Sequence, residues 1–147
     1  MTKTNDILLI RPDGSGYEML YPDGSVQKTK EKPLAFLDRR CLLLGSSANG
    51  RMESFRSVLG VKQKAAVLVS ELKGEIWFPT LSMKAPECIW LNYREILSVS
   101  SSDRNTSLVR FFSGMKAEIN VDIRTIRLQM KRCRAYLEKI SENQKNV

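Results

Sequence analysis

The side chains of this sequence that could do chemistry are cations gathered in two separate stretches. Residues 31–64 and 122–147 each hold seven Lys or Arg against three Asp or Glu, the other stretches are balanced, and the chain carries a net charge of +8. An excess of positive charge in two blocks favours a surface for a negative partner, either nucleic acid, an anionic membrane or an acidic protein. The alternative is a pair of solvated helix faces without a partner.

Catalytic and metal chemistry has few of the residues it needs. The sequence contains no His, so a Ser-His or Cys-His nucleophile pair and a His-containing metal site are excluded. Asp and Glu occur singly, without the paired spacing that glycosidases would suggest. The sequence therefore predicts a binding protein, not an enzyme, with no catalytic residue, no metal and no cofactor.

A segment of small residues, Gly45–Gly50, lies in the first basic stretch and runs into Arg51. Its two glycines have the spacing of a phosphate-binding P-loop, but that motif continues with Lys and Ser or Thr, where this chain has Arg51 and Met52. What remains is a loop whose backbone could approach a phosphate. An ordinary helix-capping loop explains the same residues. The side chains that could donate to a phosphate here are Ser46, Ser47, Asn49 and Arg51.

Two helices are predicted around this loop and form a helical insertion near residues 33–59. Apolar residues recur at helical intervals over Leu34–Leu44 after Pro33, and Gly45 suits a left-handed cap. A second helix is expected over Arg51–Leu59, with Gly60 as its stop. This outline is also that of a helix-turn-helix, although many helical hairpins share it without touching DNA. The other cations of the insertion that could contact a partner are Arg39, Arg40 and Arg56.

The last segment has the clearest periodicity in the chain. An apolar residue recurs every three or four positions from Ile123 to Ile140, and Asp122 is placed to cap the start. We expect a long amphipathic helix whose apolar stripe docks on the sheet, on another subunit, or on both. A membrane-surface helix is a weaker alternative because a small domain needs this stripe for its own core. A basic stripe, rotated from the apolar one by about 100°, consists of Arg124, Arg127, Lys131 and Arg134.

Strands are predicted in two other regions. Residues 7–28 are expected to form a meander with turns at Pro12–Gly14 and Pro22–Gly24. Residues 65–121 are expected to form an antiparallel sheet, and their Trp residues are interpreted as structural because they lie within apolar strands. The strands predicted there are 66–70, 75–78, 88–91, 96–100, 107–112 and 116–121. The side chains expected to supply much of its core are Ile76, Trp77, Phe78, Trp90, Phe111 and Phe112.

The chain as a whole is predicted to be one α+β domain, residues 1–147, with an antiparallel sheet, the helical insertion and the long C-terminal helix. Its 147 residues suffice for one core. The polar residues 1–6 and the short apolar run 7–10 predict neither a signal peptide nor a membrane span. The odd number of separated cysteines, Cys41, Cys88 and Cys133, predicts reduced core thiols of a cytosolic protein.

Three motifs closely resemble the competence transcription factor family, the ComK proteins of bacteria. Asp38–Cys41 runs into Gly45–Arg51, which is followed at matching intervals by Phe78–Ser82 and then by Pro86–Trp90. The resemblance covers roughly residues 33–140. Gly-Ser-Ser-x-x-Gly-Arg combined with Phe-Pro-Thr-Leu-Ser is far more specific than either motif alone.

The resemblance implies a transcription activator that binds double-stranded DNA at A/T-rich promoter boxes, largely through the minor groove. It further implies a cytoplasmic, nucleoid-associated homodimer or higher oligomer that switches on genes for DNA uptake. The charge pattern agrees, since a narrow A/T minor groove is strongly negative and favours inserted Arg. The contact candidates carried over by motif are Arg39, Ser46, Ser47, Gly50 and Arg51. Those that rest on charge alone are Arg40, Arg56, Arg124, Arg127, Lys131 and Arg134.

Two further expectations concern partners. Family members continue into a C-terminal tail used for adaptor-guided proteolysis, whereas little but residues 141–147 follows the periodic helix here, so a proteolytic adaptor is expected only if a short tail suffices. The rival function is a protein-interaction or self-association module that uses the C-terminal helix. RNA binding is a third alternative, which would favour single strands over an A/T duplex.

Overall fold

The computed structural model describes residues 6–147, so that residues 1–5 of the polar start lie outside the described residues. Within 6–147 the chain forms three α-helices and two antiparallel sheets, which confirms the α+β class. The larger sheet has six strands: β1 Leu9–Asp13, β2 Gly16–Leu20, β3 Val26–Thr29, β4 Val67–Ser70, β5 Glu75–Pro79 and β6 Trp90–Asn92. Their order across the sheet is β3-β2-β1-β6-β5-β4.

The prediction of one sheet over residues 65–121 is wrong. Strand β6 pairs with β1, with Leu91 opposite Leu9, so β4–β6 extend the N-terminal meander. A 3-10 turn at Tyr93–Glu95 then leads the chain into a separate three-stranded sheet. This second sheet consists of β7 Ile96–Asp103, β8 Thr106–Phe111 and β9 Lys116–Ile119. Pairing between distant strands is not visible in local periodicity, so the sequence pattern does not reveal this division.

The helices are α1 Pro33–Leu43, α2 Ala48–Leu59 and α3 Ile123–Lys145. Helix α1 buries Phe36, Leu37 and Cys41, but the predicted inward Leu44 is 57% exposed because the helix ends at Leu43. Gly45 follows with a φ of +88°, a conformation that glycine adopts without steric cost. Helix α2 begins three residues earlier than predicted and ends at Leu59, with Gly60 as the stop, as expected.

Most of the predicted aromatic core is buried, including Trp77, Phe78 and Phe111. Phe112 is the exception: it is 65% exposed, because β8 ends at Phe111 and the next side chain points to the opposite side. The three cysteines are buried free thiols, as predicted. None of the helices in the described part of the chain is both long and apolar enough to cross a membrane.

The buried face of α3 differs from its predicted apolar stripe. The fully inward residues are Ile126, Gln129, Cys133 and Tyr136, whereas Met130 and Leu137 are only half-buried. Gln129 and Tyr136 are buried at little cost because the polar groups of both side chains form hydrogen bonds. The Gln129 amide donates to two backbone carbonyls, and the Tyr136 hydroxyl shares a hydrogen bond of 2.6 Å with Ser54 Oγ.

Candidate nucleic-acid interface

The small-residue loop between α1 and α2 caps the second helix. Ser47 is the N-cap residue, and its hydroxyl accepts the Gly50 N–H at 3.0 Å. The Ala48 N–H donates to Asp38 Oδ1 at 2.9 Å, so a carboxylate of α1 already occupies part of the helix N-terminus where a phosphate would bind. Asn49 and Gly50 lie in the first turn of α2, not in the loop. The structure therefore gives this segment a capping role, and its contact with DNA stays a prediction.

Arg51 is drawn inward from the predicted contact site. Its side chain is 19% exposed and pairs with Glu71 at 3.1 Å, and its Nε donates to Ser46 Oγ at 3.3 Å. The Glu71 carboxylate also accepts a hydrogen bond of 2.8 Å from Gln144 near the end of α3. Arg51 thus belongs to a link that joins the start of α2 to the end of α3.

The link through Glu71 predicts a pH dependence of stability. Hydrogen bonds from Gln144 and then Arg51 lower the pKa of Glu71 from its ordinary value of 4.5. A carboxyl whose pKa is lowered in the folded state stabilises the fold above its unfolded pKa, and this stabilisation is lost as the pH falls. We expect Glu71→Gln to cost up to about 1 kcal/mol of unfolding free energy at pH 7, since the pair is partly exposed. The difference should shrink below pH 4.5 and vanish once the pH has fallen through the lowered pKa of Glu71.

The measurement is denaturant unfolding of both proteins at pH 7 and near pH 3. Glu87→Gln is the control, because Glu87 is exposed and makes no hydrogen bond or ion pair with the described residues. A deficit of Glu71→Gln that is as large in acid as at pH 7 would show that charge is not its cause.

Arg39 and Arg40 both have acidic partners. Arg40 donates to Glu75 at 2.7 Å, and the same buried carboxylate accepts the Trp77 indole N–H at 2.9 Å. Arg39 is exposed and pairs with Glu31 at 2.8 Å, which lowers the pKa of Glu31. Arg40 therefore ties α1 to β5, whereas Arg39 could exchange its partner for a phosphate at little cost.

The outward face of α2 argues against a recognition helix. It buries Ala48, Met52 and Phe55, while its exposed side chains are those of Asn49, Glu53 and Ser57. None of these exposed side chains is a cation, and one is acidic. A helix that enters the major groove presents its outward face to the bases, so the helix-turn-helix interpretation loses support.

The basic stripe of α3 faces solvent. Arg124, Arg127, Lys131 and Arg134 are all exposed, opposite the buried positions of the helix. Arg124 pairs with the N-cap Asp122 at 3.1 Å, and Arg134 lies 3.7 Å from Glu138. Arg127 and Lys131 have no acidic partner among the residues that the structure describes. These two cations are therefore free to bind an anion.

Helices α2 and α3 pack against each other, so the two basic stretches meet in one layer. The rings of Phe55 and Tyr136 lie 5.2 Å apart, and the helices run in opposite directions, since Glu71 joins Arg51 to Gln144. Arg51 therefore lies near the end of α3 and Arg127 near its start, roughly 25 Å away along the axis at about 1.5 Å per residue. The structure brings the basic elements together but not these two arginines.

The segment after α2 contains cations that sequence reasoning did not single out. Arg56 lines a depression together with Lys62, Lys64 and Lys84. Lys62 and Lys64 belong to the first basic stretch, and their only sequence signal was that excess of charge, because they follow Gly60 and have no helical periodicity. Lys84 comes from a charge-balanced region. Only the fold brings it to the others.

No group of three or more Cys, Asp or Glu side chains within residues 6–147 is arranged to hold a metal ion. The exposed Lys and Arg side chains of α3 and of the segment after α2 are suited to binding an anion.

Comparison with known proteins gives one family. The family model described as ComK protein matches residues 12–145. The chain is 28% identical over 101 residues to a protein of Bacillus subtilis (strain 168) named competence transcription factor, and the alignment spans 69% of this chain and 53% of that relative. The chain thus spans about half the length of the curated relative it matches. No solved structure matches it.

Proposed function

The chain belongs to the ComK family, and on that premise we propose that it is a non-catalytic, DNA-binding transcription activator of competence genes. Its relative is named a competence transcription factor, a role that fits a protein acting on duplex DNA inside the cell. The observation that carries DNA as the partner is the solvent-facing stripe of α3, where Arg127 and Lys131 have no acidic partner among the described side chains.

A/T-rich boxes read through the minor groove are the proposed target. Such a groove is narrow and strongly negative, and it is recognised by shape and by cations more than by base-specific hydrogen bonds. Free cations on α3 and after α2 suit this mode. The exposed face of α2, which lacks cations, does not suit major-groove recognition.

The test is a mobility-shift titration on an A/T-box duplex and on a mixed-sequence duplex of the same length. We expect the A/T duplex to bind at least about tenfold more tightly, a modest share of the discrimination usual for specific complexes. Equal affinity for both duplexes would contradict sequence-selective activation. Tighter binding to single-stranded RNA would favour the RNA alternative.

Two variants examine the α3 stripe in the same titration. Arg127→Gln with Lys131→Gln should weaken binding to both duplexes by more than about tenfold, because each lost cation removes an attraction to the negative charge that every duplex carries. The matched control is Lys139→Gln with Lys145→Gln, which removes the same charge from exposed positions of α3. Equal affinities of the two double variants would exclude the stripe from the interface.

Self-association is the second candidate function, and an exposed leucine patch favours it. Leu43 is 81% exposed and Leu72 is 97% exposed, and both line one depression with Leu44. Contiguous exposed apolar surface commonly marks a protein interface. This patch is better suited to a homodimer contact than α3, whose apolar side chains are largely used by the core. A homodimer or higher oligomer that binds DNA is compatible with both candidate functions.

A further inference from the structure

A surface groove between the end of α2 and the segment joining β5 to β6 is lined by cations. Its charged lining residues are Arg56, Lys62, Lys64 and Lys84, and Gln63, Ser82 and Met83 complete it. No described residue of this lining is acidic, and none of the four cations forms an ion pair with the described part of the chain. The depression beside Arg40 and Arg51 is different, because Glu71 and Glu75 lie in it.

One buried side chain links a wall of the groove to the strand that leads to the other wall. Gln129 is 2% exposed, and its amide nitrogen donates to the carbonyl of Lys64 at 3.0 Å and to that of Pro79 at 2.9 Å. Lys64 belongs to one wall, and Pro79 ends the strand that leads to the other. Arg132 adds a hydrogen bond of 3.2 Å to the carbonyl of Gln63. Helix α3 therefore holds the Gln63–Lys64 wall beside the end of β5.

The backbone of Lys64 is unusual. Its φ is +56°, the positive-φ exception among the non-glycine residues of the described chain. Residues other than glycine rarely adopt this conformation, and it persists only where the surroundings impose it. Here the Gln129 hydrogen bond to the Lys64 carbonyl is such a constraint. The result is a lysine presented at a fixed place beside Lys62 rather than on a free loop.

We propose that this groove binds phosphates of the DNA backbone, an inference that rests on the proposed function and names the site. A cleft lined by one sign of charge concentrates the field of its side chains and attracts ions of the opposite sign. Lysines act as point charges for phosphate, and Ser82 and Gln63 add neutral hydrogen-bond donors. The groove would anchor the duplex backbone, while the α3 stripe contributes Arg127 and Lys131.

The test compares two triple variants on the A/T duplex and the mixed duplex over a range of salt concentrations. Lys62→Gln, Lys64→Gln and Lys84→Gln together remove the groove lysines. Lys73→Gln, Lys116→Gln and Lys139→Gln remove the same charge from exposed positions elsewhere. We expect the groove variant to bind both duplexes about 100-fold more weakly or worse, and its slope of log affinity against log salt to fall by about 3.

The outcomes distinguish a failure of the proposed groove from a failure of the proposed DNA-binding function. If the wild type binds no duplex, the proposed function and this site both fail. If the wild type binds but the two triple variants have the same affinity and slope, the groove is excluded and the function remains. Replacing the same three lysines by Arg should retain the wild-type slope. Displacement of duplex by millimolar inorganic phosphate at constant ionic strength would identify a free-phosphate site and overturn the proposal.

Discussion

Raising the salt concentration from about 50 to about 200 mM should lower the affinity of this protein for duplex DNA by about 10³-fold. The proposed DNA surface contains six cations that have no acidic partner among the described residues. If each binds one phosphate and releases its counterions, log affinity falls with log salt at a slope of about −0.9 per contact. The six cations are Arg56, Lys62, Lys64, Lys84, Arg127 and Lys131.

Salt also distinguishes the two proposed functions. Burial of Leu43 and Leu72 between two copies would be an apolar contact that responds little to salt. Fluorescence anisotropy measures the affinity for duplex DNA, and sedimentation of the protein alone measures self-association. Both measurements use the same series of salt concentrations. A slope near zero for DNA binding would contradict the phosphate interface. Self-association that persists across the series would then favour the interaction module.

Replacing Phe55 by Ala should destabilise the protein by about 3–5 kcal/mol. Phe55 is 1% exposed and packs on Tyr136 with a centroid distance of 5.2 Å, so the change removes a large ring from the junction of α2 and α3. The cavity cannot close easily, since Tyr136 is also fixed by its hydrogen bond to Ser54. Denaturant unfolding followed by circular dichroism measures this loss.

The matched control is Tyr136→Phe, which keeps the ring and removes the hydroxyl. We expect it to cost about 1 kcal/mol, the usual net contribution of one hydrogen bond. A Phe55→Ala loss no larger than that of the control would mean that α2 and α3 are not joined through this ring pair. The packing of the two basic stretches against each other would then have to depend on other contacts.

Much of the local structure was predictable from the sequence. The helix ends at Gly45 and Gly60 follow from the tolerance of glycine for positive φ, and the turn at Gly24 has the same cause. The start of α3 at Asp122 follows from capping, since the side chain accepts the Arg124 N–H at 2.8 Å. These features depend on a few neighbouring residues, whose types alone decide the outcome.

The candidate site was predicted only in part. Its charge, the two basic stretches and the solvent-facing stripe of α3 could be read from residue types and helical spacing. The pairing of Arg51 with Glu71 and of Arg40 with Glu75 could not, because each joins residues that are distant in the sequence. Such pairs decide which cations are available to an anion.

The sequence by itself therefore determined the net charge, the helices, the turns and the family, all of which depend on composition, short-range spacing or local motifs. Only the tertiary structure decided that Gln129 points inward, that β6 joins β1, and that Lys84 lies beside Lys62. The physical reason is that burial and hydrogen bonding between distant segments select among locally equivalent helix faces and strand pairings. The same long-range contacts turn a general positive charge into a groove of defined shape.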